Sequence, residues 1–193
     1  MIALTAGDAL LIADIQNDFL PGGALGITGG DRILPALHRY MERFQAKGLP
    51  IWLSRDWHPS DHCSFKERGG PWPVHCVADT AGALPPPSFH PPSQAFTIYK
   101  ATARDREAYS AFQETSLDRE LRAQGVRRLF IGGLATDYCV LNSVKDGLRL
   151  GYTVHLLMDG ICAVNASPTD GKQAEDEMIR LGARPTRLED LAS

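Results

Sequence analysis

The sequence predicts an α/β fold: a parallel sheet covered by helices on both faces, three layers in all. Two observations carry this expectation. Short apolar runs alternate with stretches whose apolar residues recur at helical spacing, the pattern of repeated strand–helix–strand units. The strand runs are also near-continuously apolar, as a strand must be when helices cover both its faces. The 193 residues, 44% hydrophobic, suffice for one ordinary domain with a full core, spanning 1–193.

The elements follow in order. Ala9–Asp14 (ALLIAD) reads as a buried first strand. Arg32–Gly48 has apolar residues at helical spacing, a start after Gly30-Asp31 and a glycine stop. Pro50–Asp56 is the second strand and Ala95–Lys100 the third. Ser116–Gly125 opens on a capping serine and closes on glycine, a helix. Val126–Gly133 is the fourth strand, Asp137–Leu150 a helix and Tyr152–Asp159 the fifth strand. Ser167–Gly182 is the last helix, and a short sixth strand is expected around Arg184–Leu188. Leu84–Ser93 is a proline-rich loop, too short to link domains.

Composition excludes several classes. The net charge is -3 with signs mixed, and no basic stripe offers a nucleic-acid footprint. No apolar run reaches the roughly 18 residues of a membrane span. The N-terminal apolar run leads into an acidic motif rather than a cleavage site, the start of a cytoplasmic protein. The four cysteines (Cys63, Cys76, Cys139 and Cys162) are read as reduced thiols.

Polar residues stand where the strands end: Asp14 after the first, Asp56 after the second, Lys100 after the third and Cys139 in the turn after the fourth. In a parallel sheet these ends share one edge, and ligands of open α/β sheets bind outside that edge. Four reactive residues, far apart in sequence, are thus expected to converge. Cys139 has two readings, a packed small hydrophobe or a nucleophile. Lys100 and the N-terminus of the helix near Asp137 would stabilise its thiolate, Asp14 would move its proton, and backbone N–H groups of the turn would hold an oxyanion.

A second cluster lies in DWHPSDHCSF (Asp56–Phe65) and WPVHC (Trp72–Cys76). Three of the six histidines, His58, His62 and His75, sit here beside Asp56. Mixed carboxylate and imidazole donors suit a divalent metal such as Zn, Fe or Mn; the alternative is a set of surface histidines. Cys63 and Cys76 are read as packing residues. Phe19, Trp72, Tyr109 and Tyr138 lie on nearby loops, either as the walls of a pocket for a small planar ligand or as ordinary core.

DIQNDF, PGGALGITGG, DWHPSDHCSF, WPVHC, YK with AYSAF, and GGLATDYCV occur in this order. Together they resemble the nicotinamidases (pyrazinamidases) of the isochorismatase-like cysteine hydrolases, from Leu10 to about Gly182. The resemblance implies a Rossmann-like six-stranded parallel sheet. It also implies a small-molecule substrate, nicotinamide, hydrolysed to nicotinate and ammonia in NAD salvage, by a monomer or homo-oligomer. Asp14 matches the acid/base, Lys100 the lysine and Cys139 the nucleophile. Asp56, His58 and His75 match ligands of one divalent metal, zinc foremost, with iron or manganese as alternatives. His62 matches a position that binds metal in only some members. Phe19, Leu25, Trp72, Tyr109 and Tyr138 match the ring pocket, and the N–H groups of Ala135 and Cys139 the oxyanion hole. A cis peptide between Leu134 and Ala135 is also implied. One departure is Ala101, where many members carry glycine; a positive φ there would strain it.

Other readings are weighed against these residues. A related cysteine amidohydrolase for a carbamoyl or ureido substrate keeps Asp14, Lys100 and Cys139 but needs no metal that reads a pyridine nitrogen. A vinyl-ether hydrolase does not need Cys139. A metallohydrolase using metal-bound hydroxide would find Cys139 dispensable, and a binding module would show no turnover.

Overall fold

Period-two alternation in the first strand divides the core in two. In β1 (Asp8–Ala13), Leu10 and Ile12 enter one buried cluster, and Leu11 and Ala13 the other. The structure, a computed structural model, describes residues 1–192. Its sheet adds β2 (Ile51–Asp56), β3 (Phe96–Lys100), β4 (Arg128–Leu134), β5 (Thr153–Cys162) and β6 (Arg184–Thr186). The order is β3-β2-β1-β4-β5-β6, with every neighbouring pair parallel. This is the six-stranded parallel sheet expected.

Helix α1 (Leu34–Ala46) lays Leu34, Leu37, Met41 and Phe44 on the first cluster, at the spacing of a single helix face. On the opposite sheet face, α2 (Leu117–Ala123), α3 (Leu141–Arg149) and α4 (Asp170–Arg180) contribute Leu117, Leu121, Val144 and Met178 to the second cluster. The result is the three-layer α/β/α arrangement. No helix among the described residues is long and apolar enough to cross a membrane.

The ends differ from expectation for local reasons. β1 stops at Ala13 because Asp14 turns the chain with φ 48. A 3-10 turn, Gly30–Ile33, precedes α1, whose first turn holds Pro35; Gly48 follows it at φ 65. The helix expected from Asp137 begins as a π turn, Thr136–Val140, before α3. β5 runs on to Cys162 instead of ending at Asp159, because it bulges. It advances from Leu156 to Ile161 while β4 advances only from Ile131 to Gly133.

The two glycines that end the β4 run allow close backbone approach. Gly133 has φ 113, and a Cβ there would lie 2.1 Å from the Ala13 carbonyl oxygen. A Cβ on Gly132 would lie 2.9 Å from the Gly160 carbonyl oxygen, inside the β5 bulge. The cis peptide between Leu134 and Ala135 follows directly.

Candidate active site

Parallel register sets the site. Ala13 pairs with Ser54, and Asp56 with Lys100, so the carboxyl ends of β1, β2 and β3 lie level. The π turn after β4 brings Cys139 to the same edge. Asp14, Asp56, Lys100 and Cys139 are all buried. The Lys100 ammonium is the hub: its Nζ lies 2.5 Å from Asp56 Oδ1, 3.0 Å from Asp14 Oδ2, 3.1 Å from the Ala108 carbonyl and 3.5 Å from Cys139 Sγ. Carboxylate oxygens of Asp14 and Asp56 and the Cys139 sulfur all lie within 4.8 Å of one another. Ser54 Oγ donates to Asp14 Oδ1 at 2.7 Å, which leaves Oδ2 to face the Lys100 ammonium.

Charges in this dry cluster oppose one another. Burial alone would push Lys100 toward neutrality, but Asp14 and Asp56 outweigh it, and its pKa lies well above the usual value. Burial raises the Asp14 carboxyl, with Lys100 working against it and Asp56 adding to it. Burial also raises the Cys139 thiol well above its ordinary range, partly offset by Lys100. The resting sulfur is therefore a thiol, beside a carboxylate whose proton affinity burial has raised.

Next to this cluster lies a donor set suited to a metal. One ligand atom each from Asp56, His58 and His75 falls within 4.8 Å of the others. His58 Nδ1 meets the Ala101 carbonyl at 3.2 Å, and His75 Nδ1 meets that of Pro73 at 2.8 Å. A carbonyl only accepts, so both Nδ1 atoms donate and both Nε2 atoms are left for another partner. His58 Nε2 is buried with no partner, 3.7 Å from Asp56 Oδ2. Burial, with His75 and His62 nearby, lowers the His58 pKa to about 3, so the ring stays neutral, as a ligand must. Two imidazoles, one with a partnerless Nε2, and one carboxylate fit a divalent ion.

His62 is not brought into this set. Its Nδ1 meets Ser64 Oγ at 2.8 Å and its Nε2 the Arg106 carbonyl at 3.0 Å; the ring stacks on His58 at 4.2 Å. Ala101 does sit at positive φ, 50°, directly after Lys100.

A small cavity joins the two clusters. Phe19, Leu25, Trp72, Tyr109, Ala135 and Tyr138 line it, with Asp56, His75 and Cys139. All five residues expected around a ring are therefore present. Trp72 stands edge-on to Tyr138 with ring centres 4.9 Å apart, and its Nε1 donates to Tyr109 Oη at 3.0 Å. Burial pushes the Tyr109 phenol up to about 12. The cavity wall is mostly apolar and aromatic, with few polar groups, the character of a site for a small planar ligand.

Three contributors escaped the sequence reading. Val164 lines the cavity from the loop after β5. Ser54 orients Asp14. Gln16 clamps the backbone of Asp56, accepting from its N–H at 2.9 Å and donating to its carbonyl at 2.8 Å. Gln16 lies within DIQNDF, but its partner is forty positions away.

Residues 8–190 match the Isochorismatase domain family. A nicotinamidase from Escherichia coli is 38% identical over 94% of this chain and 95% of its own. The pyrazinamidase of Pyrococcus horikoshii, solved in complex with zinc, superposes with a TM-score of 0.91 at 44% identity, covering 94% of this chain and 99% of that one. A protein from L. infantum, solved in complex with nicotinate, also gives 0.91, at 32% identity over 99% and 98% of the two chains.

Proposed function

The chain belongs to the isochorismatase family, and from the site it carries we infer that it is a nicotinamidase: it hydrolyses nicotinamide to nicotinate and ammonia through a thioester on Cys139, in NAD salvage. Pyrazinamide, a ring of the same size, is a further substrate. The observation that carries this reading is that Cys139, its Sγ 3.5 Å from Lys100 Nζ, lines one aromatic-walled cavity together with Asp56 and His75 of the donor set. A carbamoyl or ureido substrate has no ring to fill the aromatic walls.

Phe19, Leu25, Trp72, Tyr109 and Tyr138 hold the ring and exclude water. Asp56, His58 and His75 hold one divalent ion, for which zinc is the best match to the donors and iron or manganese the alternatives. When bound, the ion supplies a Lewis acid for the pyridine nitrogen. Asp14 takes the Cys139 proton while Lys100 steadies the charge between them. The sulfur attacks the carboxamide carbon, and the N–H groups of Ala135 and Cys139 receive the oxyanion. Asp14 then protonates the departing amine; the C–N bond breaks and a thioester remains. Water, deprotonated by Asp14, adds to the thioester; the C–S bond breaks and the proton returns to sulfur.

The whole chain, 1–193, serves as one catalytic domain. Four free thiols support a reducing, cytoplasmic setting. The test is ammonia release from nicotinamide by the metal-loaded enzyme. Turnover by wild type and none by Cys139→Ala is expected; a normal rate from Cys139→Ala removes the nucleophile and makes metal-bound water the candidate.

A further inference from the structure

One carboxylate near the nucleophile takes no part in the chemistry above. Asp137 lies two residues before Cys139 and is partly buried. Its Oδ1 accepts from the backbone N–H of Val164 and its Oδ2 from that of Asn165, both at 2.9 Å. Among the described residues it pairs with no cation. Both oxygens are thus committed to one loop, the connection from β5 to α4.

The far end of that loop is fixed as well. Asn165 turns the chain at φ 53, and its Oδ1 accepts from the N–H of Gly171 at 2.8 Å. Gly171 is in close contact there: a Cβ on it would stand 2.5 Å from the Ala163 Cβ. At the anchor on Asp137 the loop offers Val164 to the cavity. Val164 packs against the first core cluster, which contains Phe19 and Ala135, whereas Cys139 belongs to the second. Val164 is therefore a branched, apolar part of the cavity wall that Cys139 also lines.

We propose that Val164 limits the ring substituents this pocket admits, and that Asp137 is the positioning residue that holds Val164 in place. The pair admits an unsubstituted heteroaromatic carboxamide and rejects ring-alkylated ones. This rests on the nicotinamidase reading and adds its specificity. The physical basis is steric: a pocket wall displaced by one methyl group changes discrimination by about tenfold or more. A carboxylate that accepts two backbone N–H groups cannot be replaced by a side chain with fewer acceptors without releasing the loop.

The experiment compares kcat/KM on nicotinamide and on a set of ring-methylated nicotinamides for wild type, Val164→Ala, Asp137→Ala and Asp137→Asn. Val164→Ala is expected to raise the ratio for at least one methylated substrate over nicotinamide by about tenfold. Asp137→Ala should shift the same substrate in the same direction, with the loss on nicotinamide falling on KM. Its Cys139 should still react with iodoacetamide at a rate within about twofold of wild type, since the nucleophile is not what moved. Asp137→Asn keeps one good acceptor and should fall between; it and Val164→Ala carry the test if Asp137→Ala does not fold. Unchanged ratios in Val164→Ala, or an equal fall in kcat on every substrate in the Asp137 variants, overturn the proposal while leaving the nicotinamidase reading intact. A wild type that releases no ammonia from nicotinamide removes both.

Discussion

Lys100 Nζ stands 2.5 Å from Asp56 Oδ1, so one ammonium ties the metal-facing carboxylate to the catalytic cluster. The same nitrogen lies 3.0 Å from Asp14 Oδ2, and all three side chains are buried. The cation is balanced by two anions in a site shielded from bulk water. Lys100→Met keeps the stem and deletes the charge, leaving both carboxylates without their counter-ion. Breaking a buried pair this way costs about 3–5 kcal/mol. The variant is expected to be inactive and to unfold at markedly lower urea concentration; wild-type stability in Lys100→Met would show that the cluster is not ionised as described.

Much of this cluster was legible in the sequence because every member follows an apolar run. A strand that ends in Asp or Lys announces both the strand and the edge, and parallel topology does the rest. The histidine cluster was legible by density, which by itself does not separate His62 from His58 and His75; only the family resemblance set His62 apart. The difference is which atoms face the ring nitrogens, Ser64 and Arg106 for His62, and spacing carries no such information. Leu25 came only from family resemblance. Val164 was invisible because the β5 bulge shifts the register before its loop begins, and Ser54 because its partner Asp14 lies across the sheet.

Asp14→Asn separates proton transfer from structure. It keeps shape and the Ser54 contact but cannot carry the thiol proton. General acid–base catalysis supplies typically ~10²–10⁴-fold, and Asp14 serves both half-reactions. Ammonia release should fall by at least that range with the fold intact by near-UV circular dichroism. A loss below tenfold would assign the proton to another group.

Metal removal should abolish turnover and lower stability together, since an ion that binds only the folded state adds its binding free energy to folding. His58→Ala should weaken metal binding severely in a chelator competition, as it deletes a bare Nε2 lone pair. His62→Ala should leave metal affinity close to wild type and cost only packing. A large affinity loss in His62→Ala would place His62 among the ligands.

Ala101 occupies the left-handed region at φ 50, where a non-glycine residue costs about 1–2 kcal/mol. Ala101→Gly removes that strain but also a buried methyl, about 0.8 kcal/mol, and gives the unfolded chain more freedom. The terms nearly cancel, so stability should change by less than about 1 kcal/mol. Ala101→Val is the opposite case, a β-branched residue at an unfavourable φ. It should unfold easily and also weaken metal binding, because the Ala101 carbonyl sets the His58 tautomer. Equal stability of the Gly and Val variants would mean that the backbone relaxes there at no cost.

His155 predicts where the fold is sensitive to acid. Its ring stacks on Phe130 at 4.5 Å inside the sheet, and its Nδ1 meets Thr186 Oγ1 at 2.8 Å. Nε2 is buried without a partner. Burial first, then Arg128 and Arg184, lower its pKa to about 4 against a raising effect from Asp8. The unfolded chain holds this histidine near its ordinary value of about 6.5. Between those two values the unfolded state binds the extra proton, so stability rises with pH. The contribution is fully present above the unfolded value, is lost as pH falls toward 4, and changes no further below that. His155→Leu fills the same space without titrating and should flatten this limb by at most about 1.4 kcal/mol per pH unit. Urea unfolding of both proteins at several pH values from neutral to acid tests it. Parallel curves across that interval would mean that the folded protein protonates His155 as readily as the unfolded chain does, and the acid sensitivity would then belong to another group.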